Sequence, residues 1–449
     1  MFQTIKNAWK LDDLRKKILF TLFILLLYRI GAQIPVPFLA ADLVSSMNQA
    51  TQGSIFEYLN ILSGGAFAQA TLFALGVSPY ITSSIVIQLL TVAIPALERL
   101  SKEGEEGKKK LNQLTRIVTV ALALLTAIGY YFMLDSGAGT GASYIETNGL
   151  NKVFVACVIV ACYCAGSSLV MWLAEKVNES GIGNGISLIL FINIVSRGPA
   201  ILGQLISLVT GKATAGTSIP HWVGILIAVG SLILGLAMLI LIVYVNDSER
   251  RIPVQYAKKV VGRKMYGGQN STLPIKLNNT GVMPIIFASS IVSLPATIGM
   301  FFTNKNDFWQ GFFDLFATDG WLYAVLTLIL IVAFAYFYIL ISFNPVEVSN
   351  NLKRNGGSIP GIRPGKPTSD YITKVLNRIT FIGAIFLAII AVVPMIINII
   401  VNLATDGSNI MSALSFGGSS IIIVVGVIVE TAREIEGQMT MRHYKGFLE

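Results

Sequence analysis

Runs of about 20 apolar residues recur along this chain, and one such run fills the hydrocarbon core of a bilayer as a helix. No other feature narrows the possible folds so far. Ten spans are predicted, at residues 19–36, 77–96, 116–134, 152–175, 184–206, 222–246, 281–302, 321–343, 379–402 and 411–432. A β-barrel would instead show weak alternation in segments of about ten residues. Charge points the same way. Of 449 residues only 13% are charged and 54% are hydrophobic, and a soluble globule carries about twice that charged share. The reading is an all-α, multi-span membrane protein. The first run follows a basic tail, lacks a small-residue cleavage site and continues into "AQIPVPF", so it is read as an uncleaved first span.

Lys and Arg set the expected orientation. With the N-terminus inside, the inside segments hold 28 of the 33 Lys and Arg residues. The outside loops hold Lys152, Lys212 and Lys305, and Arg29 and Arg197 fall within spans. Both termini are therefore expected in the cytoplasm, as a tail at 1–18 and another at 433–449. Two long basic loops, 246–280 and 344–378, face the same side. An anchor that only obeyed the charge bias needs about five residues, so their length asks for a further purpose. The first, rich in Val, Ile and Tyr among its charges, suits a short hairpin. The second carries "SIPGIRPG", in which Arg363 stands between prolines and glycines.

Ten spans divide into halves of five, 19–206 and 222–432. With an odd number per half, the second half enters the membrane from the opposite side, the topology of an inverted repeat. One stretch falls outside the ten. "LSGGAFAQATLFALG", residues 62–76, is apolar and uncharged. As a helix it would rise about 22 Å, short of the hydrocarbon core. It is read as a short helix buried in protein rather than in lipid.

Several chemistries lack their residues. The predicted spans contain no Asp or Glu away from their ends, and His221 and His443 are the only histidines. An ion-coupled secondary transporter, the alternative reading of an inverted repeat, wants acids or polar ligands at mid-membrane. An intramembrane protease wants a nucleophile with a base, paired aspartates or a metal motif. No catalytic residue, metal ligand or cofactor site is assigned. Cys157, Cys162 and Cys164 all fall in the fourth span without a CxxC spacing, and are read as small apolar thiols packed between helices. The spans do place Ile81 and Ile85 four residues apart on one helix face, and likewise Leu190 and Ile194. Spacing alone fits packing or lipid contact as well as any special role.

The stretches "PYITSSIVIQLL", "EGKKKLNQLTR", "GIGNGIS", "YAKKVVGRKMYGGQNSTLPIKLN", "GVMPIIFASSI", "IPGIRPG" and "FGGSSIIIVV" together resemble the bacterial SecY family, the channels of the Sec translocon. They occur in family order over essentially the whole chain. The resemblance implies a protein-conducting channel: two pseudo-symmetric five-helix halves around a central hourglass pore that also opens sideways to lipid. It implies a constriction formed by Ile81, Ile85, Leu190, Ile194, Ile286 and Ile423. Leu190 departs from the isoleucine usual at its place. Residues 62–76 would form a plug helix, with Gly64, Gly65, Ala66 and Phe67 at its start. The second and seventh spans would form a lateral gate, with Gln88 and Ser289 or Ser290 in polar contact across it. Arg363 would meet the SecA motor ATPase. Lys258, Lys259, Arg263 and Lys264 would dock on the ribosome, pairing with RNA phosphate. The resemblance further implies small SecE-like and SecG-like membrane subunits, precursors bearing signal sequences as cargo, contact with membrane lipids, and a place in the bacterial plasma membrane.

Overall fold

The structure, a computed structural model, describes residues 8–40, 47, 56–137, 143–147, 149–210, 221–256, 259–261, 264–266, 270–301, 316, 321–404 and 418–445. A helix occupies each of the ten expected positions. The described helices are α1 (Asp12–Gly31), α2 (Glu57–Leu62), α3 (Ser78–Ala93), α4 (Pro95–Lys102), α5 (Glu105–Asp135), α6 (Lys152–Ser180), α7 (Gly185–Ser196), α8 (Gly198–Val209), α9 (His221–Asp247), α10 (Met283–Val292), α11 (Leu294–Gly299), α12 (Trp321–Ser342), α13 (Pro345–Arg354), α14 (Lys366–Ala404) and α15 (Gly418–Lys445), of which the short α2, α4 and α13 are additional to the ten.

Among the described residues, six helical stretches are long and apolar enough to cross a membrane: α5, α6, α7 continued into α8, α9, α12 continued into α13, and α14. Helices α3 and α4 make a seventh if counted as one span, bent by 101°. The bend falls at Ile94, whose extended backbone (φ −108°, ψ 114°) precedes Pro95, as the ring of a following proline requires. The remaining three expected positions are occupied by helices that are more charged or shorter. Helix α1 begins with a charged stretch, α15 turns charged after Val429, and α10–α11 is short. The apolar sides of the long helices face outward, as lipid-facing helices do. Leu226, Ile233 and Ile240 on α9 are all exposed.

The first span stops at Gly31, before the predicted 36, because Pro35 and Pro37 cannot continue the ladder. The chain there runs extended, and Pro35 bridges to Thr71. The last span's predicted start, 411–417, lies outside the described residues. Two of the three cysteines are partly buried, but Cys157 is exposed on the outer side of α6 rather than packed between helices.

The hairpin expected in the first basic loop is present. Strands β1 (Glu249–Tyr256) and β4 (Asn270–Lys276) pair antiparallel, with Glu249 opposite Lys276 and Gln255 opposite Asn270. At the tip, β2 (Lys259–Val261) pairs with β3 (Lys264–Tyr266). The second basic loop adds a strand that sequence reasoning does not predict. Strand β5 (Gly357–Ser358) joins the far edge of β1, with Ser358 opposite Gln255 and Gly357 opposite Tyr256. The two loops therefore share one sheet. Ile252, Ile275, Ile359 and Ile372 bury a small apolar core beneath it.

Candidate functional site

The six residues expected at the constriction come from α3, α7, α10 and α15. All are between 0 and 3% exposed. They belong to one contiguous apolar cluster, although they are spread from residue 81 to residue 423. Helix α7 packs on α15, and α10 packs on both α3 and α15. Four helices distant in sequence thus contribute aliphatic side chains to the same apolar cluster. Leu190 is fully buried there beside Ile194.

The segment expected as a plug helix over 62–76 has a different form. Helix α2 ends at Leu62, and residues 63–70 and 72–77 run as consecutive turns. The cause is local. Gly64 (φ 67°) and Gly65 (φ 91°) take the left-handed conformation, which costs a residue with a Cβ about 1–2 kcal/mol. The Gly64 N–H donates to the Ile61 carbonyl at 3.1 Å and the Gly65 N–H to the Asn60 carbonyl at 2.9 Å. That pair of bonds closes a helix C-terminus. Ala66 and Phe67 follow, both buried. Burial of the segment in protein agrees with the sequence reading.

Side chains of the surrounding spans hold this segment by its backbone. Tyr130 of α5 donates its hydroxyl to the Phe67 carbonyl at 2.5 Å. Tyr163 of α6 donates to the Ala70 carbonyl at 3.2 Å. Asn193 of α7 donates to the Leu62 carbonyl at 2.7 Å and to the Tyr28 hydroxyl of α1 at 2.8 Å. Aromatic contacts add area. Phe67 lies 4.7 Å from Tyr130, centroid to centroid, and Phe73 stacks on Tyr28 at 5.4 Å. Within the segment, Asn60 Oδ1 accepts from the Ala68 N–H and Ser63 Oγ from the Phe67 N–H. A cavity of about 220 Å³ opens beside it, lined by Phe67, Ser78, Thr82, Thr126, Ser293 and Thr297 among others.

The expected gate helices, α3 and α10, are in contact, but their polar residues are engaged differently from the prediction. Gln88 donates to Ser84 one turn earlier on its own helix at 3.2 Å. Ser290 donates to its own helix at the Ile286 carbonyl at 2.8 Å. Ser289 pairs with Tyr58 of α2. A hydroxyl or amide in an apolar wall takes the nearest partner. For Gln88 and Ser290 that partner lies on the same helix. Ser289 faces inward and ties α10 to the helix that leads into residues 63–76. Tyr58, Asn193, Tyr130 and Tyr163 are the residues that reasoning from the sequence passed over. The lone amide of Asn193 within "LFINIV" is the one clear signal among them.

On the sheet side, "SIPGIRPG" folds as a braced loop. Gly361 (φ 80°) and Gly365 (φ 107°) turn the chain on either side of Arg363. Ser349 Oγ donates to the Gly365 carbonyl at 2.8 Å, and Thr368 Oγ1 to the Arg363 carbonyl at 2.9 Å. The Arg363 side chain is exposed and makes no ion pair among the described residues. Lys258 and Arg263 lie outside the described residues; Lys259 and Lys264 fall on the tip strands β2 and β3. The hairpin base is clamped to α15. Arg433 donates to the Asn246 carbonyl and to the Asp247 carboxylate, each at 2.7 Å, and Asn278 donates to Asn246 Oδ1. Burial at this base holds the Lys276 ammonium below the usual lysine range, and the Arg433 charge adds to the shift.

Comparison with known proteins gives one family. A family model described as SecY matches residues 71–432. The protein translocase subunit SecY of Streptomyces coelicolor is 44% identical, and that of Streptomyces galbus 42%, each over the full length of both chains. Among solved structures, a SecY channel whose report describes a plug domain that stabilises the closed state aligns with a TM-score of 0.62 at 18% identity, covering 95% of this chain and 92% of that one. The canine Sec61 channel bound to the ribosome aligns with a TM-score of 0.59 at 17% identity, with the same coverage. These structures share the fold: a multi-pass helical membrane protein with a channel architecture. By its sequence over its whole length, and by the fold that its helices build around the apolar cluster, the chain belongs to the SecY family.

Proposed function

We propose that this chain is the pore-forming subunit of a protein translocase. It conducts unfolded secretory polypeptides across a bacterial plasma membrane and releases apolar segments sideways into lipid between α3 and α10. The single observation that carries the reading is the aliphatic cluster of Ile81, Ile85, Leu190, Ile194, Ile286 and Ile423, drawn from four helices and set beside an uncharged, backbone-held segment. A narrow aliphatic ring sheds water and so blocks ions. It makes no polar bond with a passing chain, so it tolerates any side chain. Residues 63–76 are the plug. The mid-span acids that an ion-coupled solute transporter would use are missing from the sequence, which disfavours that alternative.

Both termini and the shared sheet face the cytoplasm in this reading, which rests on the Lys and Arg distribution. Arg363, exposed on its braced loop, contacts a SecA-type motor. The hairpin tip with Lys258, Lys259, Arg263 and Lys264 meets ribosomal RNA phosphate. Small SecE-like and SecG-like subunits complete the complex, and any ATP hydrolysis belongs to the motor. The test is translocation of a radiolabelled precursor into proteoliposomes containing this chain, its small subunits and the motor, scored by protease protection. Arg363→Glu is expected to keep the complex assembled and abolish motor-driven protection. Full protection in the variant moves the motor contact elsewhere, and no protection with the unaltered chain overturns the channel reading.

A further inference from the structure

We infer that Asn193 is the positioning residue that ties the seat of the plug to the wall of the constriction. The inference rests on the plug reading above and names the group that holds the plug down. Three observations carry it. First, Asn193 is fully buried in α7, next in sequence to Ile194 of the aliphatic cluster. Both its N–H bonds go out of its own helix, one to Tyr28 of α1 and one to the Leu62 carbonyl. That carbonyl is in the last turn of α2, where no helical N–H follows to satisfy it. A side chain from another span thus caps the helix that leads into the plug.

Second, the fit is close on both sides. A Cβ on Gly64 would lie 2.9 Å from Asn193 Oδ1 and 3.0 Å from Asn193 Cα, so only a glycine lets the plug backbone come this near. Third, the Asn193 Oδ1 acceptor is buried with no hydrogen-bond partner. An orphaned acceptor in an apolar wall costs stability that a leucine there would not. Packing therefore does not account for an amide at this position, whereas its two donated bonds do. A polypeptide that parts the cluster at Ile194 displaces α7. It thereby pulls the amide from the Leu62 carbonyl, so opening of the ring and release of the plug are one event.

The experiment measures resting ion conductance of the reconstituted complex in planar bilayers, for Asn193→Leu and Asn193→Ser beside a deletion of residues 64–74. A second readout is the reactivity of Ala66→Cys, with Cys157, Cys162 and Cys164 replaced, toward a membrane-impermeant thiol reagent added from the outer side. Asn193→Leu keeps the bulk and removes the donors. Asn193→Ser keeps a small polar group that is too short to reach Leu62, and stands in if the leucine variant does not assemble. Both are expected to raise the open fraction about tenfold, the effect of one buried carbonyl losing its partner, and to expose the cysteine without altering assembly. A leaking deletion with tight Asn193 variants and a protected cysteine overturns this inference and leaves the plug reading standing. A tight deletion overturns both.

Discussion

The aliphatic cluster and the segment beside it are neighbours built on opposite principles. The six aliphatic residues, from four helices, sit in an apolar cluster held by dispersion and burial, a cluster that also takes in Leu62, Ala66 and Phe73. Residues 62–76 are held through main-chain carbonyls at Leu62, Phe67 and Ala70, each receiving a bond from a side chain of a different span. Dispersion is non-directional, so a ring made of it closes around many shapes. A hydrogen bond has one distance and one angle, so a segment held by three of them has one seat. In the proposed channel the first region would have to accept any sequence and the second to return to a single position.

The comparison breaks most sharply at Gly64. Gly64→Val meets both the positive φ and the 2.9 Å approach to Asn193. It is expected to unseat the segment by about 3 kcal/mol or more, read as a large resting conductance in planar bilayers. Next come Ile85→Asn and Ile423→Asn. An amide in the aliphatic ring loses about 1–3 kcal/mol of closure. Precursors with defective signal sequences are then expected to pass, and their continued full rejection removes these residues from the ring. Tyr130→Phe and Tyr163→Phe each remove one donor, worth about 1 kcal/mol. A moderate rise in the thiol reactivity of Ala66→Cys is expected, and a cumulative rise in the double variant. The smallest effect is expected of Leu190→Ile, a volume-conserving swap that costs less than about 1.5 kcal/mol. Unchanged signal-sequence discrimination supports a ring indifferent to aliphatic shape. A change as large as that of Ile85→Asn would show the ring to be as directional as the seat.

What could be read in advance follows the same division. Apolar runs announce helices, and the i, i+4 pair at Ile81 and Ile85 announces a shared face, so the spans were legible in the sequence, while a constriction followed only from the family resemblance. The seat was not legible. Its partners, Tyr130 with Phe67, Tyr163 with Ala70 and Asn193 with Leu62, are 63, 93 and 131 residues apart, and a tyrosine in a span carries no mark of the carbonyl it will meet. The apolar composition of 62–76 suggested a helix, but two adjacent glycines at positive φ overrode it. The gate contacts were misjudged because a polar group in an apolar wall is satisfied by the nearest partner. For Gln88 that was Ser84 on its own helix.

The two-residue strand β5 has a consequence for counting. Strands that hydrogen-bond to each other lie on the same side of a membrane, so Gln255 and Ser358 do. Between them the chain passes through α10–α11 and through α12. A path that ends on the side where it began has made an even number of crossings. Helix α12, continued into α13, is long enough to make one. Among the described residues, the short and proline-interrupted α10–α11 is the segment left to make the other, a parity that its 17 residues, about 25 Å of helix, left open. The pairing is compatible with both segments crossing or with neither, so a backbone ladder of two residues excludes any arrangement in which only one of them crosses.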